Sequence, residues 1–88
     1  MSILYLWQKP NWHDFPSAVF DATDACILIG DGVFAAVLQE EKPTLPCPLF
    51  ILAEDLDTRK ISSSLNATII DEAQWLRLIL AHSKVVSF

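Results

Sequence analysis

Eighty-eight residues with a formal net charge of −5 allow one domain and argue against direct nucleic-acid binding, which needs a basic footprint. Hydrophobic residues make up 52% of the chain, three of them Trp and five Phe, more apolar side chain than one small core easily hides. No stretch approaches the run of about 20 apolar residues of a membrane span. The apolar start of the chain has no basic leader and no small-residue cleavage site, so a cytoplasmic protein is expected.

Ile3 to Trp7 is an apolar run of strand formers closed by Gln8-Lys9-Pro10. Asp14 is placed to cap a short helix with Pro16 in its first turn and Ala18, Val19 and Phe20 on its buried side. Cys26 to Ile29 reads as a second strand, apolar throughout and therefore covered on both faces. Gly30-Asp31-Gly32 turns the chain into a helix over Val33 to Glu40, with Val33, Phe34 and Val37 expected on one face.

The prolines of Lys42 to Pro48 forbid helix and central strand and deliver the chain to a third strand, Leu49 to Leu52. Glu54-Asp55 opens a short helix, and Ser62-Ser63-Ser64 with Asn66 reads as loop. Thr68 to Ile70 is a fourth strand. Asp71 with Gln74 forms a variant capping box that starts the longest helix, Glu72 to His82, and Val85 to Phe88 is a last strand. Strict alternation predicts an α/β domain: a small flavodoxin-like, mostly parallel five-stranded sheet with short helices on both faces.

In such sheets the working groups lie at the carboxyl ends of the strands. Those ends carry Lys9, Asp31, Glu54 and Asp55, an arrangement reminiscent of a phosphate-accepting or metal-binding edge. Asp31, Glu54 and Asp71 also stand at helix starts, where carboxylates satisfy free N–H groups, and this reading takes precedence. No metal site and no cofactor are expected. The Gly30-Asp31-Gly32 turn matches neither a dinucleotide fingerprint nor a P-loop.

Cys26 and Cys47 are the only thiols. Cys26, on an apolar strand, reads as a core residue; Cys47, between Pro46 and Pro48, reads as the more exposed, with no activating His or basic neighbour. His13 and His82 lie on separate elements with no paired nucleophile. No catalytic constellation emerges.

These pieces, in their order, resemble the DsrH/TusB family of sulfur-relay subunits. The resemblance is carried by Lys9-Pro10-Asn11-Trp12, Asp31-Gly32-Val33 with Ala35-Ala36, Leu52 to Leu56 with Arg59, Ile69-Ile70-Asp71, Trp75-Leu76-Arg77-Leu78 and the tail Val86-Ser87-Phe88. It implies a non-catalytic subunit that joins DsrE/TusD-like and DsrF/TusC-like partners in a hetero-hexamer, the DsrE/TusD-type subunit carrying the persulfide. The sulfur would serve wobble-uridine 2-thiolation of tRNA or sulfur oxidation. The cysteine that some members carry in the first helix is absent from Ser17 to Phe20. The alternatives are a persulfide carrier using Cys26 or Cys47, and a stand-alone homo-oligomer binding a small ligand or metal. Surplus aromatic residues, above all Trp12, Phe34, Trp75 and Phe88, are expected at subunit interfaces, with self-association of the chain when made alone.

Overall fold

A computed structural model describes residues 2–38, 41–63 and 66–88 of the chain. The end of the expected second helix, Gln39-Glu40, and Ser64 of the expected loop lie outside the described residues. Five strands form one sheet: β1 (Ile3–Trp7), β2 (Ala25–Leu28), β3 (Leu49–Leu52), β4 (Thr68–Ile70) and β5 (Lys84–Ser87). Every pairing is parallel, and the spatial order is β4-β3-β2-β1-β5. The register sets Leu4 beside Ala25 and Val85, Cys26 beside Leu49, and Leu52 beside Ile70. The expected α/β architecture is therefore present, and Leu49–Leu52 runs parallel to the second strand rather than as a hairpin partner.

Two α-helices, α1 (Ala53–Arg59) and α2 (Glu72–Ala81), and two 3-10 segments, Ser17–Val19 and Gly30–Val37, make the connections. The steps from β1 to β4 all move the same way across the sheet. Because parallel crossovers share one hand, their connections fall on one face, and the single return from β4 to β5 falls on the other. The packing follows this division. One cluster joins Tyr5, Trp7, Cys26, Leu28, Leu49 and Ile51 to Phe20, Val33, Ala36 and Leu56. The opposite cluster, with Leu4, Ala25, Ile27, Leu52 and Ile70, is covered by Trp75, Leu78 and Ile79 of α2.

The first connection departs from expectation. Asp14 caps nothing; it sits in a turn with φ +60°, and only a three-residue 3-10 turn follows, entered from Pro16 without a side-chain cap. So short a turn has no buried side of its own: Ala18 and Val19 are exposed and only Phe20 reaches the core. The second connection is 3-10 rather than α-helical and begins at Gly30, ahead of the expected start. With three residues per turn, Val33 and Ala36 stack inward while Phe34 and Val37 stack outward, which separates the expected Val33–Phe34–Val37 face.

Aromatic rings fill the space that fuller helices would occupy. Trp7 meets Phe15 at 4.7 Å between ring centres, Trp12 meets Phe15 at 5.0 Å, and Phe20 meets Tyr5 at 4.4 Å. Trp12 is only 6% exposed and donates its indole N–H to the Ala35 carbonyl at 3.0 Å. It is a core residue, which corrects its assignment to a subunit interface: the thin 3-10 layer leaves room that this ring takes.

Gly32 permits the close approach of that layer. A Cβ there would lie 1.9 Å from the Trp7 carbonyl oxygen, a contact with backbone that cannot be relieved by a rotamer change. Gly30, by contrast, has open space but a left-handed φ of +54°. Gly32→Ala is expected to cost about 3 kcal/mol and Gly30→Ala about 1 kcal/mol, read as shifts of the urea unfolding midpoint at unchanged slope.

Candidate functional site

The connections leaving β3 and β4 depart to opposite faces, α1 with the first cluster and α2 with the second. A crevice between the carboxyl ends of these two strands is where such sheets usually bind ligands. Extending the register beyond Leu52 and Ile70 sets Glu54 opposite Glu72, each in the first turn of its helix. The neighbouring Glu72 carboxyl, as a hydrogen-bond partner and then as a charge, followed by a little desolvation and the Asp55 charge, raises the Glu54 pKa. A raised carboxyl favours the folded chain when protonated, and that advantage fades as pH rises through the folded-state pKa. Glu72→Gln should return Glu54 towards the ordinary carboxyl range, read from its side-chain carboxyl NMR shift against pH.

Asp71 performs the capping read from the sequence. Its carboxylate accepts the Gln74 backbone N–H at 2.8 Å, and Gln74 accepts the Asp71 N–H at 3.0 Å. Asp31 and Glu54 occupy first helical turns without forming side-chain caps.

Asp55 and Asp31 meet through a residue that the reading of the carboxylates overlooked. The Arg59 guanidinium contacts Asp31 at 3.2 Å and Asp55, one turn back on α1, at 3.5 Å, with the Phe34 ring 6.0 Å away. Asp55 also accepts the Gly30 N–H at 2.6 Å. One carboxylate thus joins the start of α1 to the left-handed glycine that starts the 3-10 segment. Arg59 lies one helical turn after Asp55, a spacing that signals an ion pair in the sequence. The pairs with Arg59 are partly solvent-facing and contribute little alone; the Gly30 contact, to an ionised acceptor, is the stronger. Asp55→Ala is expected to destabilise by about 2 kcal/mol, measured by chemical denaturation.

Lys9 stands apart from this group. Its ammonium lies 5.5 Å over the Trp7 ring, while the neighbouring Gln8 amide donates to the Ser87 hydroxyl across β1 and β5. Among the described residues no group of three or more His, Cys, Asp or Glu side chains is placed to hold a metal ion. His13 is exposed in a turn, and His82 Nδ1 lies 2.7 Å from the Leu78 carbonyl oxygen.

The remaining aromatic candidates divide between faces. Phe34 (39% exposed) borders Arg59; Phe88 (37% exposed) stacks on Tyr5 at 5.7 Å and meets Trp7 at 6.0 Å; Trp75 packs half-buried beneath α2. The Trp75 indole N–H is buried with no acceptor among the described residues.

Both thiols belong to the first cluster. Cys26 is fully buried, as its strand implies, and burial followed by the nearby Cys47 charge pushes its pKa well up. Cys47 is 8% exposed, the more exposed of the two thiols as the sequence suggests, yet still buried: the proline-flanked segment folds it in with Leu49. Burial and then Asp24 raise its pKa against the lowering effect of a backbone hydrogen bond. Asp24 itself is buried, accepting the Ile3 N–H and the Asp21 N–H, each at 2.9 Å. No cation among the described residues lowers the pKa of either thiol, as a reactive thiolate would need. At pH 7.5 both thiols should resist an aromatic disulfide reagent in the folded chain and both should react in urea, monitored by absorbance.

No helix of the described residues is long and apolar enough to cross a membrane. A comparison with curated proteins gives no match. A family model described as DsrH like protein matches residues 14–85, which span every element from the first 3-10 turn to the middle of β5. The chain belongs to the DsrH-like family.

Proposed function

We propose that this chain is a non-catalytic subunit of a sulfur-relay complex of the DsrEFH/TusBCD kind, working in the cytoplasm beside DsrE/TusD-like and DsrF/TusC-like partners. The observation that carries this reading is the state of its two thiols: both are buried and both are shifted towards the neutral form. A persulfide carrier needs an accessible thiol that ionises near neutral pH. Within a DsrH-like chain, such silent cysteines favour a role in assembling or shaping the complex, with sulfur carried on another subunit. The acidic surface fits a chain that meets proteins rather than tRNA directly. The pathway served is tRNA wobble-uridine 2-thiolation or sulfur oxidation, in a hetero-hexamer.

One observation favours the rival reading, in which the chain itself carries sulfur. Cys47 lies on the wall of an open hollow of about 380 Å³ that also includes Lys42, Leu45 and Thr68. Small motions could bring the thiol to this opening. The double variant Cys26→Ala/Cys47→Ala separates the two. With the complex intact, tRNA 2-thiolation or sulfur oxidation in cells should stay within about twofold of the unmodified chain, whereas a fall of 100-fold, about 2.7 kcal/mol, would make a cysteine the carrier.

A further inference from the structure

We infer that the outer side of α2 is a docking surface for a different protein chain, one that presents an apolar strip ending in a lysine or arginine. This rests on the reading of the chain as a subunit and names the surface and the chemistry that subunit would use.

The inner side of α2 is accounted for by Trp75, Leu78 and Ile79, which pack on the sheet. A helix covering a sheet normally turns a polar side to water. Here the opposite side carries Ala73, Leu76 and Leu80, all exposed, Leu76 by 56% and Leu80 by 77%. Their spacings of three and four residues align them in one strip, with Glu72 in line at its amino end and Arg77 along its border. A helix apolar on both sides is built to be covered on both sides. The sheet beneath repeats the pattern: among the described residues α2 alone covers this face, on which Leu6 and Phe50 remain partly open and Val85, beside Leu4, is exposed.

Charge selects the occupant. Glu54 and Glu72 lie side by side at the amino end of the strip, and no Lys or Arg among the described residues forms a salt bridge with either. A cation at that end would relieve their repulsion. A second copy offers Arg77 midway along α2 but no Lys or Arg in the last turn of that helix. Antiparallel pairing of two α2 helices would set Glu72 against a helix end with no basic residue in its last turn, and parallel pairing would set Glu72 against Glu72. Two copies also bring together equal charges of −5. A chain with apolar side chains and a Lys or Arg at one end meets both requirements.

The test uses the full chain co-expressed with tagged DsrE-like and DsrF-like subunits from the same genome, with Leu76→Asp/Leu80→Asp and Glu72→Lys as variants. Both leucines point to solvent in the isolated chain, so circular dichroism of the variant alone should be unchanged. The expected result is a complex with the unmodified chain, weakened roughly 30-fold or more by the double leucine variant. Glu72→Lys should weaken it roughly tenfold and reduce its sensitivity to salt. A complex that forms normally with both variants would overturn the surface assignment while leaving the subunit reading in place. Failure of the unmodified chain to bind those subunits would remove the subunit reading, and the size of the chain alone then decides. A dimer dissociated by the leucine variant would show a second copy on α2, and a monomer would show no occupant; either overturns the proposal.

Discussion

A parallel sheet has two apolar faces, and each must be covered. Here four connections serve five strands, and the order β4-β3-β2-β1-β5 commits three of them to one face. Among the described residues the other face receives α2 alone. Much else in the molecule follows from this unequal division. The first face is crowded by three short connections, so its layer is thin and aromatic rings complete it. The second is covered by one ten-residue helix that has no fully buried residue of its own.

The crowded face explains why the thiols are silent. Cys26 and Cys47 lie under a layer held close by Gly32 and filled by Trp7, Trp12, Phe15 and Phe20. Asp24, placed nearby to bind the Ile3 and Asp21 amides, adds negative charge where a thiolate would form. The groups that make the packing sound are the ones that deny the cysteines ionisation. At the carboxyl end, Asp55 and Arg59 tie α1 to the 3-10 segment, so the edge that could have held a ligand is largely occupied by its own cross-links. What has no salt bridge to a Lys or Arg among the described residues is the Glu54–Glu72 pair at the crevice, next to the helix with apolar residues on its outer side.

Strand identity was legible because five short apolar runs alternate with punctuated polar stretches, and parallel pairing followed from the lengths of the connections. The capping box at Asp71 was legible because its two partners are local in sequence. Strand order was not legible, since nothing in a single parallel strand names its neighbours. The 3-10 character of Gly30–Val37 was hidden for a different reason: the sequence pattern marks a helical segment but not how tightly it winds, and only the fold brings Gly32 against the Trp7 backbone. Trp12 was misjudged because a tryptophan after a strand and a proline looks solvent-facing, while the Ala35 carbonyl that fixes it lies 23 residues away. Cys47 is the more exposed thiol, as its proline-flanked setting suggests, but the depth of its burial was not legible, since only the fold brings that segment in with Leu49.

On the proposed reading, this chain is a subunit whose second face is completed by another protein. Amide hydrogen exchange across α2, measured on the chain alone and again with DsrE-like and DsrF-like subunits added, tests it most directly. The α2 amides are expected to exchange well ahead of those of β2 in the isolated chain and to slow markedly when the partners are present. Equal protection of α2 in both states, with β2 unchanged, would contradict it.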